Sequence, residues 1–184
     1  MQERNKLGMV LFLGSEIGFF GVLILGYVYY YRAYAAGPNA VTALDPLLTG
    51  MFTVCLLVSS FTLWRAQKSL ERASRSRVNL WLLATVALGS IFVFGQAWEY
   101  AQLLRDNVTI SSSLFGTTFF TLTGMHGLHV FGGLIALVVL LGLALGGHLN
   151  PSRSVAVATV ELYWHFVDVV WLVIFAIVYL GPQL

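Results

Sequence analysis

Charge is scarce in this chain. Only 10% of its 184 residues are Asp, Glu, Lys or Arg, against about 25% in a soluble globular domain. With 58% hydrophobic residues, it has too little polar surface to enclose itself in water. A soluble enzyme or binding module is excluded, and an integral membrane protein is what remains. The formal net charge of +2 is too small to indicate nucleic acid as a partner. Cysteine is nearly absent too. Cys55 stands alone in an apolar run, so a disulfide framework and a cysteine-based metal site are both excluded, and Cys55 itself reads as a small apolar packing residue. No internal repeat and no soluble domain is visible. The first apolar run, from about Leu7, is too long for the apolar core of a cleavable signal and lacks a small-residue cleavage site, so no such signal is expected.

What is present is a set of long apolar runs. A spanning helix needs about 20 mostly apolar residues, and five segments qualify, at about 8–31, 46–66, 79–104, 114–146 and 155–181. They predict an all-α, polytopic membrane protein: one transmembrane domain over 1–184, built as a five-helix bundle. The breaks carry turn and cap chemistry: Gly37-Pro38-Asn39, Asp45-Pro46 at the start of the second helix, Arg105-Asp106-Asn107, Ser113 as N-cap of the fourth helix, and Gly146 to Pro151 after it. Short connections make consecutive helices antiparallel neighbours. Of the basic residues, eight fall on the side of the N-terminus and the 65–77 and 147–154 loops, and two, Arg32 and Arg105, fall opposite. The positive-inside rule then puts the N-terminus in the cytoplasm and the C-terminus outside. The basic loop 65–77 sets topology and meets anionic headgroups, and it is also a candidate docking surface for a partner subunit. Tyr27, Tyr29, Tyr30, Tyr31 and Tyr34 gather at the outer end of the first helix as an interfacial belt would.

A charge at the bilayer centre costs about 2.5 kcal/mol or more, so an ionisable residue there needs a partner or a function. Glu16, Glu99, Glu161 and Asp168 lie in or near the spans, as do His126, His129 and His165, whereas His148 falls in a loop and reads as solvated. Glu161, His165 and Asp168 are spaced i, i+4, i+7, which stacks them on one face of the fifth helix. There His165 can hydrogen-bond either carboxylate and offset the cost of burial; an interhelical polar clamp and a proton-handling site are both open. His126 and His129 lie one turn apart, flanked by Gly124, Gly127, Gly132 and Gly133, small residues that let a neighbouring backbone approach. Two such histidines could hold zinc or copper. The chain has no HExxH pattern, so a metal would need His165 or a carboxylate from another helix; hydrogen-bonded interhelical histidines without metal are expected. Glu16 has no other charge near it between Leu7 and Tyr31 and reads as a functional candidate. Gln96 and Glu99 share a face near the outer end of the third helix, within reach of the interface. Glu99, His126, His129, Glu161, His165 and Asp168 make up the expected interhelical polar network. No catalytic residue is assigned.

Four stretches, in order, carry a family resemblance. Leu7 to Glu16 reads LGMVLFLGSE; Gln96 to Tyr100 reads QAWEY; Phe115 to Val130 holds FGTTFF followed by TGMHGLHV; and Trp164 to Trp171 reads WHFVDVVW. Together they resemble subunit III of the haem-copper respiratory oxidases in its five-helix bacterial form. The resemblance implies a subunit without redox centres, packed against catalytic subunit I, which holds the haems and copper, and against other oxidase subunits in a bacterial plasma membrane. Such a complex reduces dioxygen to water with electrons from cytochrome c or quinol and pumps protons. Subunit III would stabilise subunit I, bind phospholipid in a cleft and support proton uptake. The family's carbodiimide-sensitive glutamate falls on Glu16, and its histidines, which bind no metal, fall on His126, His129 and His165.

Many members have seven helices, and this chain matches the last five. The lipid cleft is formed partly by the other two, and two helices from another subunit, such as an extension of subunit I, are expected in their place. Competing readings are the homologous subunit of a nitric-oxide reductase, a self-contained proton or ion transporter, and a small metal enzyme using the three histidines. The absence of repeat symmetry and of a Gly/Pro-broken helix pair speaks against the transporter.

Overall fold

The computed structural model describes residues 2–33, 44–149 and 154–181. They form α1 (Gln2–Ala33), α2 (Pro46–Glu71), α3 (Arg75–Arg105), α4 (Leu114–Leu145) and α5 (Ser154–Phe175), the last continuing as a π-helical segment, Ala176–Leu180. All five are long and apolar enough to cross a membrane, as the hydropathy pattern predicts. Tyr34, the Gly37-Pro38-Asn39 break, Pro151 and Arg153 lie outside the described residues.

The caps follow from the local sequence. Asp45 Oδ1 accepts from the backbone N–H groups of Leu47 (3.0 Å) and Leu48 (3.1 Å), with Pro46 opening α2 where its missing N–H costs nothing. Ser113 Oγ accepts from Gly116 N at 3.0 Å, capping α4 as expected. The basic stretch 65–77 differs from the loop the sequence suggests. Helix α2 runs to Glu71 and α3 resumes at Arg75, so only Arg72-Ala73-Ser74 turns, with Ala73 in the left-handed region (φ 51°). Hydropathy marks where a helix leaves hydrocarbon. Arginine and lysine are good helix formers, so the helices continue past that point.

The antiparallel-neighbour rule holds for α2–α3, α3–α4 and α4–α5, and α2 also packs on α5. It fails for α1, whose packing is against α4 and α5. Helix α1 is peripheral: only 11% of its spanning window is buried, against 28–44% for the others, and its buried side chains, among the described residues, are Leu13, Phe20 and Tyr27. Tyr27 therefore belongs to the core and stacks on Tyr31, whereas Tyr29, Tyr30 and Tyr31 are exposed as an interfacial belt requires.

At the centre stand Trp164 and Trp171, both fully buried. Trp164 wedges into a notch between α3 and α4. A Cβ added at Gly89 would lie 3.0 Å from its ring, and one at Gly133 would lie 2.7 Å from it. With lipid outside, helices associate through close packing and hydrogen bonds more than through a hydrophobic drive. The two glycines therefore let three helices close around one indole, whose Nε1 donates to Ser59 Oγ on α2 at 2.9 Å.

Candidate functional site

Three polar centres tie the bundle together. The first joins α1 to α4. His129 Nε2 lies 3.0 Å from Glu16 Oε2, and His129 Nδ1 lies 2.7 Å from the carbonyl of Met125. A carbonyl only accepts, so Nδ1 carries a proton and donates it there. The contact to Glu16 then holds one further proton, on the carboxyl or on Nε2. Both side chains are more than four-fifths buried, the Phe20 ring meets the imidazole edge-on at 5.0 Å, and Tyr163 Oη donates to the His129 carbonyl at 2.9 Å. The acid that stands alone in the first apolar span thus has a partner. It comes from a residue 113 positions away, which no periodicity along α1 can reveal.

The second centre is the α5 face. His165 Nε2 approaches Glu161 Oε1 at 3.6 Å, longer than a hydrogen bond. His165 Nδ1 is 3.0 Å from Ser60 Oγ, and Ser60 donates in turn to Asp168 Oδ2. His165 and Asp168 thus both meet α2 through one hydroxyl that charge and spacing do not flag, while Glu161 approaches only His165. Asp168 Oδ1 is buried with no hydrogen-bond partner among the described residues.

Glu99 organises the third. It does not reach the interface as its place near the helix end suggests; it is buried, accepting from Thr49 Oγ1 on α2 (2.9 Å) and from Tyr179 Oη (2.6 Å). Tyr179 lies in the π-helical segment, where an extra residue per turn re-aims side chains relative to a continued α-helix. Beside it, Gln96 Nε2 donates to the Thr123 carbonyl (3.4 Å) and Tyr100 Oη bonds Thr123 Oγ1 (2.7 Å), joining α3 to α4.

His126 departs from expectation. Fully buried, it stacks on Trp171 (ring centroids 4.9 Å apart) between Phe20 and Phe92, and neither ring nitrogen has a hydrogen-bond partner among the described residues. It is an aromatic packing residue, one turn from a histidine with both nitrogens engaged. With His129 committed to Met125 and Glu16, the pair does not fit a metal or haem ligand set. Among the described residues no three His, Cys, Asp or Glu side chains converge on a metal position, and no step through haem or copper is assigned to this chain.

Comparison with known proteins follows the same direction. A family model described as "Cytochrome c oxidase subunit III" matches residues 1–182. The chain is 39% identical over 176 residues to the "Probable cytochrome c oxidase subunit 3" of Nocardia farcinica, covering 95% of this chain and 86% of that protein. The protein of the same name from Mycobacterium leprae is 39% identical over the same shares. The "Cytochrome c oxidase subunit 3" of Synechocystis sp. is 39% identical over 180 residues, covering 97% of this chain and 76% of that protein.

Proposed function

This chain belongs to the cytochrome c oxidase subunit III family, and from that premise we propose that it is the non-catalytic subunit III of a terminal oxidase in a bacterial plasma membrane. It packs against the haem- and copper-bearing subunit I and supports proton uptake through Glu16. Cytochrome c, named for the relatives, is the proposed electron donor.

The observation that carries the proton-related reading is the arrangement at His129. With Nδ1 bound to a carbonyl and Nε2 on Glu16, the contact between a peripheral helix and the bundle is a site that holds one proton. Such a pair exchanges that proton between carboxyl and imidazole with little motion, and it stands close to the lipid-facing surface. Haem and copper, when bound in subunit I, supply the oxygen chemistry. The residues of this chain hold and position a proton and brace the bundle.

The test is purification in mild detergent through a tag on this chain, with the optical spectrum and oxygen-consumption progress curve recorded for the native protein and for Glu16→Ala. Haem bands of a larger subunit co-purify with both. The variant keeps the initial rate of oxygen reduction, yet its activity decays within fewer turnovers. Progress curves that superimpose over many turnovers would defeat the proton role, and a colourless preparation from intact membranes would defeat the partnership with subunit I.

For topology, the eight-to-two distribution of basic residues supports a cytoplasmic N-terminus. In a Cys55→Ser background, a membrane-impermeant maleimide added to intact cells should leave Ser74→Cys unlabelled and label Ser111→Cys. The reverse pattern would invert the assignment.

A further inference from the structure

The polar face of α5 is not wholly inside the bundle. His165 lies ten positions after Val155, the first residue of the spanning segment Val155–Leu180. That is about 15 Å along the helix, near the middle of a hydrocarbon core of about 30 Å. Its side chain is nevertheless 43% exposed, against 13% for Glu161 beside it. An ionisable residue at that depth is expected to face protein or a cavity, not lipid. Its hydrogen bonds show what the open side lacks. Ser60 has one hydroxyl proton and gives it to Asp168, so its oxygen accepts from His165 and Nδ1 carries the hydrogen. In the neutral ring Nε2 is then a bare acceptor. It makes no hydrogen bond among the described residues, with Glu161 Oε1 3.6 Å away.

The surface around that nitrogen is apolar and shaped. Helices α2 and α5 run antiparallel, with Ser60 at His165 and Thr53 at Trp171. On α2, Val54, Leu57, Phe61 and Trp64 are exposed, at steps of three, four and three residues. On α5, Leu162, Val169 and Leu172 are exposed, and with His165 they repeat the same steps. Such spacing aligns each set on one stripe of its helix. Leu57 and Trp64 stand three before and four after Ser60, so the α2 stripe borders the contact with α5. The two stripes thus flank the α2–α5 seam over about 15 Å, with the His165 imidazole as its polar centre. Side chains in alternating steps of three and four are what a third helix packs against.

We propose that the α2–α5 seam receives one transmembrane helix of another subunit, apolar along its contact face and carrying a hydroxyl or amide at mid-span that donates to His165 Nε2. Helices in lipid associate through close packing and interhelical hydrogen bonds, and the seam offers one of each: two apolar walls and one acceptor. An acyl chain fits the walls but brings nothing to Nε2. Water would satisfy Nε2 but finds no second polar partner among Leu162, Val169, Leu57 and Phe61. Such a partner presupposes that the chain is a subunit of a larger complex, as proposed above. It does not depend on the proton role of Glu16, which lies on α1.

The experiment places the photo-crosslinker p-benzoylphenylalanine at Val169, irradiates intact membranes and purifies the complex through this chain, with its optical spectrum recorded. The expected adduct is one transmembrane segment of a co-purifying subunit, attached within two helical turns of a serine, threonine, asparagine or glutamine. Val169→Trp fills the seam without touching the polar contacts of His165, and it lowers retention of that subunit in detergent about tenfold. His165→Ala lowers it as well, whereas His165→Gln, whose amide oxygen accepts in place of Nε2, keeps most of it. Val139→Trp, at an exposed position of α4, is the control and retains the subunit. Adducts to lipid alone, or to a second copy of this chain, overturn the proposal, as does full retention in both Val169→Trp and His165→Ala. Haem bands without a protein adduct refute the seam and leave the subunit reading intact. A colourless preparation defeats the subunit reading and the seam with it.

Discussion

Replacing Trp164 with alanine should cost the bundle about 3–5 kcal/mol, the largest effect of any single side chain described above. The indole is fully buried, fills the notch at Gly89 and Gly133, and donates to Ser59. Its removal leaves a void lined by three helices and takes a donor from Ser59 Oγ, which still donates to the Leu56 carbonyl. Because helices in lipid hold together by contact, the surrounding side chains have no hydrophobic collapse to close that void. The readout is the melting temperature of the purified complex and the yield of complex carrying this chain. A second substitution separates wedge from bulk. Gly133→Ala alone presses a methyl against a rigid ring at 2.7 Å and destabilises by about 1–3 kcal/mol; in a Trp164→Ala background the same methyl meets only the edge of Tyr163, 3.1 Å away, and is better tolerated. Gly142, where an added Cβ meets nothing within 4 Å, serves as control and should accept alanine. Additive losses for the Trp164 and Gly133 changes would dismiss the wedge, since contacting residues are expected to couple.

Next in size is Glu99→Ala. This carboxylate accepts from Thr49 and Tyr179, so its truncation takes the shared acceptor from two buried hydroxyls, at about 1–3 kcal/mol for a hydroxyl left unsatisfied. Glu99→Gln keeps an oxygen acceptor for one hydroxyl and offers an amide donor to the other, and it should melt within a few degrees of the native complex. If Glu99→Ala melts together with Glu99→Gln, the carboxylate is not a clamp. Pairing Glu99→Ala with Tyr179→Phe checks the geometry further, because removing both partners of one bond should cost less than the sum of the two.

Much of this fold is visible in the sequence because its signals are local. Five apolar runs of spanning length, Asp45 before Pro46 and Ser113 before an apolar run mark helices and caps without reference to anything distant. The Glu161, His165 and Asp168 face is equally visible, since all three residues sit on one helix and its period aligns them. The partners are what local pattern hides. Glu16 meets His129, His165 and Asp168 meet Ser60, and Glu99 meets Thr49 and Tyr179, each across a helix interface. A serine or threonine in an apolar run carries no charge to betray it. The interior place of Glu99 is hidden for a related reason. Nearness to a helix end suggests exposure, whereas Tyr179, within the π-helical segment Ala176–Leu180, covers it and donates to its carboxylate. The neighbours of α1 are hidden as well, because chain order suggests α2 where packing selects α4 and α5.

That last arrangement bears on how the protein is made. During synthesis α1 enters the membrane before α2–α5, yet the surfaces that receive it belong to α4 and α5. Until α4 has been inserted, His129 is not there and Glu16 lacks the partner it has in the finished bundle. Helices α2 and α3, joined by a three-residue turn and in wide mutual contact, can meanwhile pair at once. Helix α1 therefore waits for both of its receiving surfaces: α4 brings the histidine partner, and α5 completes the seat.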